Sequence, residues 1–276
     1  VSNAYIEEGN YSLAMKYAKK GYDREAYAVA FEYIRKDFIN RNFIWFFVLL
    51  IVFLVAAVFF LAFTTKRKIK LIKNQELALM LSAPIHPVNT FLSVKEKGYG
   101  SVLLSVIITM IFYIVTVLQT LAGGFMFTVY DSETFNSIWV LARTVGFVLL
   151  WIISNWLVSL LTGGRGTLKD ISVVTCYSLI PLIFQRIIYI ILTHILLPSE
   201  AEFLGILNAI ALIYFIILLL VGLSAIHDFE FGRLIGTSLL SLVGMAVIVF
   251  FIILLVILAQ QFYGFIVTLI SELLTF

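Results

Sequence analysis

The chain is poor in most of what soluble function uses. Only 13% of its 276 residues are charged, and it holds four prolines, three histidines and one cysteine. The lone Cys176 sits in an apolar stretch, so it forms no intrachain disulfide and has no metal-ligand spacing. His86, His194 and His227 fall in loops or at the ends of apolar runs, and no two make a helical metal pair. G-x-S-x-G, H-E-x-x-H and Walker segments are all missing. The sequence therefore asks for no metal, no cofactor and no catalytic residue, and an enzyme is not expected. The strict alternation of a barrel strand is missing too.

What is abundant is apolar surface. Hydrophobic residues make up 62% of the chain, and the mean hydropathy is +1.07, beyond what a soluble domain of this size can enclose. Lipid is the expected solvent. The net charge of +3 raises the question of nucleic acid, but the basic excess sits in one segment between hydrophobic runs, the pattern of a cytosolic membrane loop. Residues 65–97 hold seven basic and two acidic side chains, whereas residues 1–42 hold seven and six. The chain opens at Val1 with neither Met nor a signal-peptide pattern, which reads as the carboxy-terminal part of something longer.

A helix needs roughly 20 apolar residues to cross about 30 Å of hydrocarbon, and it satisfies every backbone polar group on the way. Six runs meet that requirement: 43–64, 101–129, 138–161, 171–197, 203–226 and 234–259. The expected class is therefore all-α, a polytopic membrane protein with six transmembrane helices. Lys and Arg near spans stay cytosolic. The segment 65–97, the loop with Arg165 and Lys169, and the loop with Arg233 are thus inside; the loops with Asp131 and Glu133, then Glu200 and Glu202, and the tail with Glu272 carry no base. This sets both termini on the extracytoplasmic side of a cell membrane, with the bases of residues 1–42 offset by their acids.

Before the first span, Tyr11, Ala14, Tyr17 and Ala18, then Ala26, Tyr27, Ala30 and Phe31, recur at helical spacing between turn signals at Gly9-Asn10 and Gly21-Tyr22-Asp23. Small residues facing aromatic ones look like the last unit of a tetratricopeptide array; a single amphipathic hairpin is the plainer alternative. If the array is real, it offers an extracytoplasmic surface for a protein partner. After the first span, Lys66–Met80 places five bases among Ile69, Leu71, Ile72, Leu77 and Leu79 before Pro84 and Pro87 stop the helix. Such a segment suits an anionic membrane surface, or the docking of a cytosolic protein.

Four features run through the rest of the chain: Pro87-x3-Phe91, the loop Gly163-Gly164-Arg165-Gly166-x-Leu168-Lys169-Asp170, Tyr177-Ser178-Leu179-Ile180-Pro181, and His227-x-Phe229 followed by Arg233. Together they resemble the Yip1 domain family, a five-helix membrane module. The resemblance covers Pro84 to Ala259 and implies that the last five spans form one five-helix bundle, 100–262; the anchor helix at 43–64, the basic amphipathic loop at 65–99 and the apolar tail at 263–276 are read from hydropathy and charge and lie outside it. Eukaryotic members of that family are linked to Rab GTPases and vesicle traffic, and bacterial relatives often stand beside permeases of carbohydrate ABC importers. The extra first span and the exterior helical segment favour the bacterial, Gram-positive-like setting. The function this implies is a non-enzymatic accessory or scaffold subunit of an importer. The alternatives are an autonomous channel or transporter, or a trafficking factor that binds a GTPase.

Ionisable and polar groups inside spans are candidates for function. Arg143 and Arg186 fall in the outer parts of the third and fourth spans, where Asp131, Glu133, Glu200 and Glu202 are potential partners; the readings are an anion-facing pocket, or snorkelling and ion pairing. Pro181 removes a hydrogen bond and is expected to kink its helix, with Tyr177 and Ser178 at hand for the freed carbonyl. Asn155, Ser154, Gln119 and Asn208 are candidates for interhelical hydrogen bonds. Arg165, Lys169 and His227 complete the set through the family resemblance.

Overall fold

The computed structural model describes residues 1–67, 75–128 and 135–275, with side chains left undescribed at 46, 47, 49–67 and 272–275. All regular structure among the described residues is helical. The helices are α1 (Ser2–Glu7), α2 (Tyr11–Lys20), α3 (Arg24–Arg67), α4 (Gln75–Ser82), α5 (Pro87–Lys97) and α6 (Val102–Leu121). Then follow α7 (Ser137–Leu141), a π-helical turn (Ala142–Gly146), α8 (Phe147–Thr162), α9 (Leu168–Ser178), α10 (Ile180–Thr193), α11 (Ala201–His227) and α12 (Phe231–Thr275). Among the described residues, five stretches are long and apolar enough to cross a membrane: Val102–Leu121, Ser137–Thr162, Leu168–Thr193, Pro198–His227 and Phe231–Ser271. The protein is thus a polytopic helical membrane protein. The first run of the sequence, 43–64, lies within the 44-residue helix α3. Of the basic stretch Lys66–Met80, residues 68–74 lie outside the described residues.

The chain divides into two compact units. The first comprises Val1–Ala78, Ile114–Asn136 and Leu182–Leu212; the second comprises Leu79–Tyr113, Ser137–Pro181 and Ile213–Phe276. In the first unit, Asn10 caps α2 by accepting the Leu13 N–H, and Asp23 Oδ1 accepts the Ala26 N–H at 3.0 Å at the start of α3. Ala14, Ala18, Ala26 and Ala30 are buried, which lets α2 and α3 approach closely. Tyr5 stacks on Tyr17 and Tyr11 on Tyr33, with centroids 5.3 and 4.4 Å apart. The hairpin is thus built from the small and aromatic residues that recur at helical spacing.

In the second unit, Pro87 takes the first position of α5, where its missing N–H does no harm, and Phe91 and Val94 pack beside Val173 and Val174 of α9, all essentially inaccessible. Helix α8 packs on α9 and on α12. Three elements differ from the runs in the sequence, the first being the second run, 101–129, which is helical only to Leu121, where α6 ends. The fourth run is two helices, α9 and α10, because Pro181 has no N–H with which to continue α9; the break falls at Leu179, and Ser178 Oγ donates to the Val174 carbonyl at 2.8 Å. Helix α12 runs 45 residues, so the segment after 262 continues it to Thr275. Helical propensity carries on where no Gly–Pro stop intervenes.

Candidate functional site at the glycine-rich loop

All of this site belongs to the second unit. Gly163 ends α8 with φ +74°, a left-handed cap that glycine adopts without strain, and the Gly164 N–H returns to the Ser159 carbonyl at 2.7 Å. The loop closes on a capping box: Thr167 Oγ1 accepts from Asp170 N–H at 3.2 Å, and Asp170 Oδ2 accepts from Thr167 N–H at 3.0 Å. Between these two anchors the backbone lies against the ring of His227. A Cβ at Gly164 would stand 2.5 Å from His227 Nδ1, and one at Gly166 would stand 2.8 Å from Cε1. Glycine is required here because the ring occupies the space a side chain needs.

His227 is 2% exposed, and its Nδ1 accepts the Gly166 N–H at 3.1 Å. That bond assigns the neutral tautomer with the proton on Nε2. Phe229 stacks on the imidazole at 5.0 Å, and the Arg233 guanidinium lies 5.6 Å from the Phe229 ring centre. Asp228, at φ +56°, turns the chain between α11 and α12. Its carboxylate meets Lys95 Nζ at 2.5 Å and Arg165 Nη1 at 3.2 Å. The hydrogen bond from Lys95, helped by both positive charges, holds the Asp228 carboxyl below the usual carboxylate range. Lys169 Nζ donates to the Gly98 carbonyl at 3.2 Å, tying the start of α9 to the end of α5. The arrangement is a clasp: one loop grips the α11–α12 turn through a buried imidazole, and a cation from α5 and one from the loop share one carboxylate at that turn. Among the described residues, no group of three or more His, Cys, Asp and Glu stands ready to hold a metal ion.

The structure thus brings Arg165, Lys169 and His227 together. Asn155 is 1% exposed and bonds to Ser241 of α12, and Tyr177 is fully buried in α9. Pro181 sits at the second position of α10. Arg143 lies exposed in the π-helical turn, in the second unit. Arg186 belongs to the first unit, where its Nη1 donates to Gln119 Oε1 at 2.8 Å. Asp131 and Glu133 lie outside the described residues, Glu202 is exposed, and Glu200 takes a two-pronged pair from Arg35 at 2.7 and 2.9 Å. Lys95, Asp228 and Arg35 were not singled out by the sequence. Its place between His227 and Phe229 was the only signal for Asp228, and nothing marked Lys95 as its partner.

Fold and site define the class: a multi-pass, all-helical membrane protein whose short loops lock its helix ends. The family model for the Yip1 domain matches residues 80–257, which contain every part of the clasp. The chain belongs to the Yip1 domain family. No curated protein and no solved structure matches it.

Proposed function

We propose that the chain is a non-enzymatic accessory or scaffold subunit of a bacterial importer of the ABC type with a carbohydrate substrate. On this reading it lies in the cell membrane with both termini extracytoplasmic, residues 1–42 are the end of a tetratricopeptide-like segment that holds an extracytoplasmic protein, and the spans pack against permease helices. The observation that supports it lies in the first unit, where the exterior segment is fastened to loops of the membrane domain. Arg35 forks onto Glu200 and also donates to the Ile195 carbonyl at 3.0 Å, and Arg24 Nη2 donates to the Thr128 carbonyl at 2.5 Å. Phe125 packs against Tyr27 with centroids 5.0 Å apart. A partner held by the hairpin is thereby held to the spans, which is what a scaffold needs. Exposed Ile206, Ile210, Ile213 and Ile217 of α11 offer an apolar face to permease helices or to lipid.

Affinity purification from native membranes in mild detergent tests this. Permease subunits should return with the chain, and Arg35→Glu should lower the yield of any extracytoplasmic partner. Recovery of the chain alone and monomeric refutes the scaffold. A second reading, an autonomous channel or transporter, draws support from the buried Asn155 and Gln185. It predicts solute or ion flux in vesicles reconstituted with the chain alone.

A further inference from the structure

The seam between α8 and α12 is polar. Ser154 Oγ donates to the Ser241 carbonyl at 2.6 Å, Asn155 Nδ2 donates to Ser241 Oγ at 3.1 Å, and Ser241 Oγ donates in turn to the Thr237 carbonyl at 2.8 Å. The helices approach closely, since a Cβ at Gly244 would come 2.5 Å from Ser154 Oγ. Two buried atoms on α8 are left over. Trp151 Nε1 and Asn155 Oδ1 have no hydrogen-bond partner among the described residues, although Trp151 is 8% and Asn155 1% exposed. They stand one helical turn apart, on the same face of α8. Turning the Asn155 amide over does not help, because the Ser241 hydroxyl proton is already given to Thr237.

The chemistry of the two atoms selects what joins them. An indole N–H only donates, and an amide oxygen only accepts. A cation is repelled by the first and an anion by the second. A small neutral molecule that accepts and donates satisfies both, and buried polar groups of this kind hold water in close-packed interiors. We propose that α8 binds a buried water molecule that accepts from Trp151 Nε1 and donates to Asn155 Oδ1. The water completes a chain in which every donor points the same way: Trp151, water, Asn155, Ser241, then the Thr237 carbonyl. Such one-directional chains strengthen each member, so the site ties one turn of α8 to the first turns of α12.

The test is solid-state NMR of the whole chain in lipid bilayers, with nitrogen-labelled tryptophan and Trp151→Phe to assign the signal. Magnetisation transferred from water should reach the Trp151 indole in the unaltered protein. The transfer should be lost in Asn155→Leu and kept in Ser241→Ala, which cuts the chain beyond the water. Absence of transfer in the unaltered protein overturns the proposal, and that result stands even if Asn155→Leu fails to fold. Transfer that survives Asn155→Leu overturns it as well, since the water would then not be bound to Asn155. A shift of the Trp151 signal when sodium is exchanged for choline would assign the position to a cation instead.

Discussion

Replacing Gly166 by alanine puts a methyl group into a space the His227 ring already fills. The new Cβ would stand 2.8 Å from Cε1, 3.1 Å from Nδ1 and 3.1 Å from Ile226 Cδ1, where relaxed heavy-atom contacts sit at about 3.5–4.0 Å. The ring cannot retreat freely, because it is buried, stacked on Phe229 and held by the N–H of Gly166 itself. Overpacking of this kind costs about 1–3 kcal/mol, and the stiffer unfolded chain returns about 0.4–1 kcal/mol. The net loss is about 1–2 kcal/mol, a fall of about 2–8 °C in apparent Tm at the scaling of a chain this long. Thermal unfolding in mild detergent, followed by tryptophan fluorescence, measures it. The decisive comparison is the same substitution in a His227→Ala background. Two of the three close contacts then vanish, and the penalty should shrink to less than half. An equal penalty in both backgrounds would refute the view that the imbalance between methyl and imidazole is what demands glycine.

The remaining predictions concern single contacts. The Asp228 carboxyl is held below its ordinary value of 3.8, so the stability it contributes is fully present above that value and disappears as pH falls through the lower folded one. The Tm difference between the unaltered protein and Asp228→Asn should therefore hold near neutrality and close in acid below 3.8; a difference that closes nearer neutrality contradicts the assignment. Arg35 and Glu200 keep side-chain exposures of 18% and 31%, so their fork is partly screened. A double-mutant cycle with Arg35→Ala and Glu200→Gln should give about 1 kcal/mol of coupling, and limited proteolysis between α2 and α3 should accelerate in the single variants. Ser154→Ala removes a buried interhelical bond of 2.6 Å; in a membrane bundle that loss is about 0.6 kcal/mol, read as a small Tm decrease. A rise in Tm would mean that the bond is offset by the close approach of Gly244.

Much of the fold is legible in the sequence because spanning a membrane is a local property. A run of about 20 apolar residues has only the helix with which to satisfy its backbone. The runs at 138–161, 203–226 and 234–259 accordingly fall on α7–α8, on α11 and on α12, whereas the run at 101–129 is helical only to Leu121, where α6 ends. Local breaks are harder to read. Pro181 announces an interruption, but that α9 stops at Ser178 and that α7 gives way to a π-helical turn at Ala142–Gly146 depends on how neighbouring turns pack. Length is ambiguous in α12, where the apolar character past Ala259 fits a tail as well as a longer helix.

The site divides in the same way. Arg165, Lys169 and the glycines around them were visible as a motif, because a glycine cluster before a helix cap is a pattern in one stretch of chain, and His227 entered through the family resemblance. By itself the sequence determined that the protein is helical, that it lives in a bilayer, and which loops carry its charge. Only the tertiary structure decided that the glycines exist to admit an imidazole, that Lys95 meets Asp228, and that Arg35 meets Glu200. The physical reason is that hydropathy and glycine clustering act within a few turns of chain, whereas a charge in a loop is compatible with any opposite charge until packing brings one of them within a hydrogen bond's length.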